Sequence, residues 1–288
     1  MVHKDYQGAD QKDKQNHHFP SRKLFAGKSN FSDSESKRKY NLSLFKEVAP
    51  KYQYATIALS FGQDRHWKKL LIDQTPTEKQ LVIVDIATGT GDIAQLLKKK
   101  YTQSLVLGVD QSIDMMHYQK NRNTQEKMYV SAQDMNVLAL KKESVDLVTG
   151  GYALRNAPDI STTLDEIHRI LKPGGKIILQ VPWQWKVHEA PFDFFRYSPY
   201  ALKYLLEKAG YSKIKIKPMG GFYTMKTLKF NYFTNTLIRG PRWVRAIKRI
   251  FFTPFWHIGQ FLAPIMDKTD RNHSGETVGY FVTAEKKE

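Results

Sequence analysis

The chain reads as an α/β protein built on a doubly wound, mostly parallel sheet, and three observations predict this. From Leu81 onward, short apolar runs alternate with stretches of helical periodicity, the pattern left by parallel strands joined through right-handed crossover helices. One run, 81–86, passes into the loop Gly89-Thr90-Gly91 and a helix start at Asp92. Backbone amides without a Cβ in the way approach a ligand across a strand tip in such a loop. Two further strand candidates, 213–217 and 277–284, lie far apart in sequence, and an antiparallel pair at one sheet edge accommodates them.

The elements follow in order. Residues 1–40 are rich in Lys, Ser, Asp, Gln and His with few apolar anchors, so a disordered leader is expected there. His3, His17 and His18 sit too loosely in that tail to hold a metal, and no metal site is expected. Leu44, Phe45, Val48, Tyr52, Ala55, Ile57 and Ala58 follow helical spacing and predict a helical cap over 41–78. Strand 81–86 then leads to helix 92–100, strand 105–110, helix 112–122, and strands 128–131 and 145–150. Helix 161–171 is stopped by Lys172-Pro173-Gly174-Gly175 before strand 176–181. Helix 199–209 precedes strand 213–217, and a helical, aromatic and basic insertion over about 222–270 precedes the last strand. The expected result is a Rossmann-like domain over 41–288 with seven strands, the last one antiparallel.

With 288 residues, 41% of them apolar, the chain can bury one core and an accessory region. It has no cysteine, which excludes a disulfide scaffold, a zinc–thiolate site and a cysteine nucleophile. No apolar run reaches a membrane-spanning length, and residues 1–16 are too polar for a secretory signal; a cytoplasmic location is expected. The formal net charge of +17 points either to an anionic partner or to a solvated basic surface.

The glycine loop admits two cofactors. Gly89-x-Gly91-x-x-Ala94, with Asp110 about twenty residues beyond, satisfies a dinucleotide fingerprint, so NAD is a legitimate reading. Three features favour S-adenosylmethionine. Asp85 ends the strand and Asp92 starts the helix, where negative charge repels a pyrophosphate but suits a cationic sulfonium and ammonium. Asp110, at the second strand tip, suits two ribose hydroxyls, and Asp134, near the third, suits an adenine amine. The Lys172-Pro-Gly-Gly turn follows the fourth strand, a placement familiar in methyltransferase folds.

The segments Val84 to Asp92, Gly108-Val109-Asp110, and Ser144 to Asn156 through Lys172-Pro-Gly-Gly resemble class I S-adenosylmethionine-dependent methyltransferases. More narrowly, three segments resemble the ubiquinone/menaquinone C-methyltransferase family. They are Phe45-x-x-Val48-Ala49-Pro50-x-Tyr52, Leu59-Ser60-Phe61-Gly62-Gln63-Asp64-Arg65-His66-Trp67-Lys68, and Ala153-Leu154-Arg155-Asn156-Ala157-Pro158-Asp159. The likeness covers about residues 42–182. It implies cofactor contacts at Thr90, Asp110, Asp134 and Met135, and an Arg155-Asn156 pair at the mouth of the substrate site. The chain departs from that pattern at Gln53 and Thr56, where the family carries Asp and Asn, and at Gly151, where it carries a polar residue. Beyond Val181, the stretch from Trp183 through His188-Glu189-Ala190-Pro191 to Pro199 instead resembles other bacterial class I methyltransferases with varied acceptors.

The expected cofactor set is therefore Asp85, Thr88, Gly89, Thr90, Gly91, Asp110, Gln111, Asp134 and Met135. Arg155, Asn156 and His188 are the candidate catalytic residues. His188 directly follows the fifth strand, where a base can reach an acceptor hydroxyl; the other reading is a loop histidine held by Glu189. Arg155 either stabilises a phenolate or pairs with Asp159, while His66, His117 and His168 are expected to be structural. The expected acceptor is a lipophilic, polyprenyl quinol-type ring methylated at carbon. Alternatives are another small molecule or a glycan, or a basic methyltransferase-fold protein that binds RNA through exposed aromatics in 222–256. No nucleic-acid motif is present, so a specific nucleic-acid partner is not expected. Residues 242–252 form a basic amphipathic pattern ended by Pro254, suited either to an anionic membrane contact through 242–262 at the inner membrane face or to covering the sheet or substrate cavity.

Overall fold

Strands β1 (Val82–Ile86), β2 (Leu105–Asp110), β3 (Tyr129–Ala132), β4 (Val145–Gly151), β5 (Leu171–Pro182), β6 (Tyr211–Pro218) and β7 (Gly279–Lys286) form one sheet in the order β3-β2-β1-β4-β5-β7-β6. The computed structural model that shows this describes residues 34–78, 80–120, 128–185, 195–269 and 275–288. The β3-β2-β1-β4-β5 run is parallel throughout. β7 is antiparallel to both its neighbours, β5 and β6. The last strand of the chain thus slots inside the sheet, and β6 becomes the edge.

Helices cover both faces, as a parallel sheet requires. They are α1 (Ser34–Val48), α2 (Tyr52–Leu59), α3 (Asp64–Asp73), α4 (Asp92–Lys100), α5 (Ile113–Lys120), α6 (Ala153–Asn156), α7 (Ile160–Ile170), α8 (Pro199–Lys208), α9 (Phe222–Thr236) and α10 (Arg242–Asp267). Successive strand residues supply opposite cores. Val84, Val148 and Ile177 pack under Leu164 and Ile167 of α7 and Leu202 and Leu206 of α8. Ile83, Leu147 and Ile178 pack under Trp67 and Leu71 of α3, Ile93 and Leu97 of α4, and Met225 and Leu228 of α9. The apolar runs of the central strands β1, β4 and β5 are nearly continuous because both faces of those strands are covered.

Three expectations are corrected. Helix already covers Ser34–Val48, ahead of the boundary expected at residue 40. Residues 1–33 lie outside the described residues. Pro254 does not end its helix, for α10 runs from Arg242 through Pro254 and Pro264 to Asp267. A proline removes one amide donor, and contacts with α9 hold the flanking turns in line: Trp256 Nε1 donates to Thr234 Oγ1 at 2.8 Å, and Asp267 accepts from Gly221 and Tyr223 amides. Lys172–Gly175 is not a free turn before β5 but lies within it, beside a register shift against β4 between Val145 and Leu147. Gly174 supplies the left-handed residue there, with φ of 73°.

Candidate active site

The strand order reverses between β1 and β4, which opens a crevice at their carboxyl ends. A cleft of about 690 Å³, counted to its open mouth, occupies it. Its floor is Ala87, Gly89, Asp110, Gln111 and Gly151, and its walls include Met115, Gln133, Met135, Tyr152 and Asn156. Asn41, Phe45 and Tyr52 of the cap close one side. Asn41 Nδ2 donates to the Asn156 carbonyl at 2.9 Å, tying α1 to α6 across the cleft.

The loop after β1 is held in an unusual backbone path. Gly89 and Gly91 have φ of 55° and 75°, and Ala87, with a side chain, has φ of 48°. Tyr152, opposite at the end of β4, has φ of 60°. Each non-glycine residue in that region costs about 1 kcal/mol or more, and here both of these border the same cleft. A Cβ at Gly89 would meet Met115 Cε at 3.2 Å, and one at Gly151 would meet Ile93 Cδ1 at 2.4 Å. Both glycines keep the floor low.

Asp85 braces this loop. It is 1% exposed, and its two oxygens accept from Thr88 Oγ1 and Thr149 Oγ1, each at 2.7 Å. Burial pushes its carboxyl up to about 6, against the opposing effect of those hydroxyls and of the Ala94 amide at the start of α4. Asp110 is the acid that borders the cleft. Its Oδ2 accepts from the Gly89 amide and its Oδ1 from the Ser112 amide, both at 2.8 Å. Burial raises its pKa while the Ser112, Gly89 and Gln111 amides oppose the rise. Each carboxylate oxygen retains acceptor capacity beyond one bond, enough for a pair of hydroxyls.

Asp92 is placed differently from its expected role. Its Oδ2 meets Lys68 Nζ at 2.7 Å, and the same ammonium meets Asp64 Oδ2 at 2.6 Å. Burial disfavours the Lys68 charge, but the two carboxylates overcome this and raise its pKa. Asp92 is therefore ion-paired from the cap through an ammonium that it shares with Asp64. Among the described residues, those bordering the cleft are neutral apart from Asp110.

Two phenols stand on the cap-facing side. Burial pushes Tyr52 up to about 12, with Lys68 opposing and Asp64 adding to the rise. Burial also holds Tyr152 well above the usual tyrosine range. Gln180 Nε2 donates to the Tyr152 hydroxyl at 2.6 Å, and the Tyr152 amide donates to the Gln180 carbonyl at 2.8 Å. The Tyr152 oxygen is thus already an acceptor, and its own proton points elsewhere.

Of the residues expected from sequence, the structure brings Gly89, Asp110, Gln111, Met135 and Asn156 to the cleft wall. Asp85, Thr88, Thr90, Gly91, Asp134 and Arg155 do not border it. Thr88 is occupied with Asp85, and its amide donates to the Val109 carbonyl at 3.0 Å. Thr90 is buried, and Gly91 caps α4 with its amide on the Thr88 carbonyl. Asp134 turns its Oδ1 to the Asn136 amide at 2.9 Å. Arg155 has polar contacts of its own, and His188 lies outside the described residues. Sequence reasoning missed Tyr152, Gln133, Ser112 and Asn41. Tyr152 carried a signal, as a polar aromatic at a strand tip directly after Gly150-Gly151. The His168 ring lies edge-on to that of Tyr211, centroids 5.2 Å apart.

S-adenosylmethionine fits this donor set. The Gln111 side-chain nitrogen is buried without a partner beside the cleft, which calls for an acceptor on a ligand. Asp110 supplies hydroxyl acceptors, and the glycine floor admits a flat ligand.

Comparison with known proteins agrees with this geometry. The model of the ubiE/COQ5 methyltransferase family matches residues 33–205. The ubiquinone/menaquinone biosynthesis C-methyltransferase UbiE of Desulfotalea psychrophila is 33% identical over 135 residues, which are 47% of this chain and 55% of that protein. The chain thus spans about half of that relative's length. Among solved structures, the protein in complex with the Trm112 methyltransferase activator of Haloferax volcanii superposes with a TM-score of 0.59 at 20% identity, over 85% of this chain and 98% of that one. Haemonchus contortus phosphoethanolamine N-methyltransferase 2, solved with S-adenosyl-L-methionine, gives a TM-score of 0.54 at 17% identity, over 85% of this chain and 60% of that one. These two likenesses concern the fold.

Proposed function

The chain belongs to the ubiE/COQ5 methyltransferase family, and on that premise we propose that it methylates a ring carbon of a lipophilic, quinol-type acceptor. The carrying observation is the cleft at the β1/β4 reversal, where Asp110, the unpartnered Gln111 amide and the glycine floor face one another. S-adenosylmethionine, when bound there, supplies an electrophilic methyl group on a sulfonium. Asp110 would hold the ribose hydroxyls, with Gly89, Gln111 and Met135 around the adenosine; Thr88, Thr90 and Gly91 shape the loop rather than touch the ligand, and Asp85 braces it from beneath.

The acceptor is assigned to the side bounded by Tyr52, Tyr152 and Asn156. Carbon methylation needs a ring made electron-rich by loss of a hydroxyl proton, held in line with the methyl donor. Tyr152 stays protonated at neutral pH, so it acts as a hydrogen-bond donor to the ring oxygen rather than as a base. Arg155, next to Asn156 on α6, would support the phenolate electrostatically. His188 is our candidate for the base that takes the hydroxyl proton.

A peripheral contact with an anionic membrane through 242–262 completes the reading, since a polyprenyl acceptor resides in a bilayer. It is supported by the basic and exposed aromatic residues of α10. Among the described residues, no helix is long and apolar enough to cross a membrane. Incubation with labelled S-adenosylmethionine and a panel of demethylquinols, followed by mass spectrometry, tests the function. A single carbon-bound methyl on a quinol is expected; label on a different class of small molecule, or on none, overturns the acceptor.

A further inference from the structure

We infer that α9 and α10 form an inside-out hairpin whose outer face enters the lipid–water interface of an anionic bilayer. The inference rests on the membrane contact proposed above and gives it a structural form. Both helices lie beyond the segment matched by the family model, which ends at residue 205.

The polarity of the hairpin is reversed relative to an ordinary surface helix pair. Its interior seam is polar: Thr224 Oγ1 donates to Asp267 Oδ2 at 2.5 Å, Trp256 donates to Thr234, and Gly259 sits where a Cβ would strike Thr227. Asn231, 0% exposed, has neither side-chain atom partnered, and the Gln260 amide nitrogen is likewise buried without a partner. Small and polar residues between close helices are the packing used where the surroundings are lipid. The outer face is apolar instead. On α10, Trp243, Ile247, Ile250, Phe251, Phe261 and Ile265 recur at about 3.6 residues per turn on one side. Trp243 is 67% and Phe261 72% exposed. On α9, Phe230 and Phe233 are exposed as well.

Charge selects the occupant. Between Glu207 and Asp267 the chain contains no acidic residue, while Arg239, Arg242, Arg245, Lys248 and Arg249 gather at the hairpin turn. A second copy docked face to face would oppose these cations with the same cations, which argues against self-association. A surface of anionic headgroups over hydrocarbon answers both the charge and the apolar side chains. The hairpin is also fastened to the cap beside the cleft. Tyr232 donates to the Leu59 carbonyl at 2.5 Å, Gln63 donates to the Gln260 carbonyl at 3.1 Å, and Phe61 sits between the rings of Tyr232 and Trp256. Docking by this face would set the cleft close to the bilayer.

The test is flotation of the full chain with phosphatidylcholine vesicles made with or without phosphatidylglycerol, without cofactor or quinol. The wild-type chain is expected to float with the anionic vesicles, with Trp243 emission quenched by brominated acyl chains and the quenching lost in Trp243→Phe. The combined variant Ile250→Ser, Phe251→Ser, Phe261→Ser and Ile265→Ser alters only exposed positions and should lower partitioning at least tenfold. Arg242→Gln with Arg245→Gln should weaken it in a salt-dependent way; Lys248 is spared because it holds the Leu237 carbonyl at 3.0 Å. Undiminished flotation of the four-serine variant overturns the proposal. So does a lipid-free dimer that this variant dissolves, or retention of the wild type on RNA but not on vesicles. Methyl transfer to a tail-less, soluble quinol, measured in parallel, separates the two readings: normal turnover without vesicle binding refutes the hairpin alone, and vesicle binding without turnover refutes the acceptor alone.

Discussion

Lys68 Nζ lies 2.7 Å from Asp92 Oδ2 and so joins the cap to the first turn of the helix that follows the glycine loop. Its second contact, to Asp64 at 2.6 Å, makes it the cation between two carboxylates. Removing one partner of a largely buried pair leaves uncompensated charge. Lys68→Met should therefore destabilise the fold by about 3 kcal/mol, read as a lower urea midpoint. Adding Asp64→Leu should restore part of that loss, and a strictly additive double variant would show that Lys68 and Asp64 are not coupled.

Asp110 is expected to dominate cofactor affinity. Asp110→Ala removes two hydroxyl acceptors and leaves the Gly89 amide without its partner. At about 1.5–3 kcal/mol for each bond to a charged group, titration calorimetry with S-adenosylhomocysteine should show at least tenfold weaker binding. Affinity equal to that of the wild type would remove Asp110 from the ribose.

Asp85 makes stability depend on pH in an unusual direction for a carboxylate. Burial raises it to about 6 from 3.8, so the folded state holds the proton more tightly than the unfolded state does. Its contribution is fully present below about pH 4 and is lost as pH rises through about 6. Asp85→Asn cannot ionise, so its stability relative to wild type should improve by up to about 3 kcal/mol between pH 4 and 7. Denaturation curves at both ends of that range check this, and a constant difference would contradict it.

Tyr152→Phe deletes the donor assigned to the acceptor oxygen while leaving the ring in place. With quinol and S-adenosylmethionine, kcat should fall about tenfold, the size of one lost hydrogen bond, with cofactor affinity unchanged. A fall in cofactor affinity with kcat intact would place Tyr152 on the other side of the cleft.

His188→Gln should lower kcat and alter its pH profile, because it removes the proposed base. A profile identical to that of the wild type would leave the base to another group.

Much of the fold was legible in local pattern. Apolar runs such as 81–86 are nearly continuous, and helical periods separate them, so strand identity and parallel order followed from residues close together in the chain. The glycine loop and Asp110 were legible for the same reason, since strand tip, turn and helix start are contiguous. The roles of Asp85, Asp92 and Pro254 were not. Asp85 is expected at the ligand from its place in the strand, whereas its bond to Thr149, which reaches it from β4, 64 residues away, follows from no local pattern. Asp92 was read as a repelling charge and is an ion-pair partner, because Lys68 arrives from the cap. Pro254 was read as a helix stop, and the neighbouring helix overrides it.

By itself, then, the sequence determined the parallel α/β sheet and the glycine cradle, both set by short-range spacing, while its resemblance to methyltransferases carried the choice of methyl donor. The tertiary structure alone decided which acids face the cleft, that Tyr152 and Gln180 stand together, and that the hairpin turns its polar side inward. Those outcomes depend on partners brought from distant elements, whose hydrogen bonds and burial no local pattern encodes.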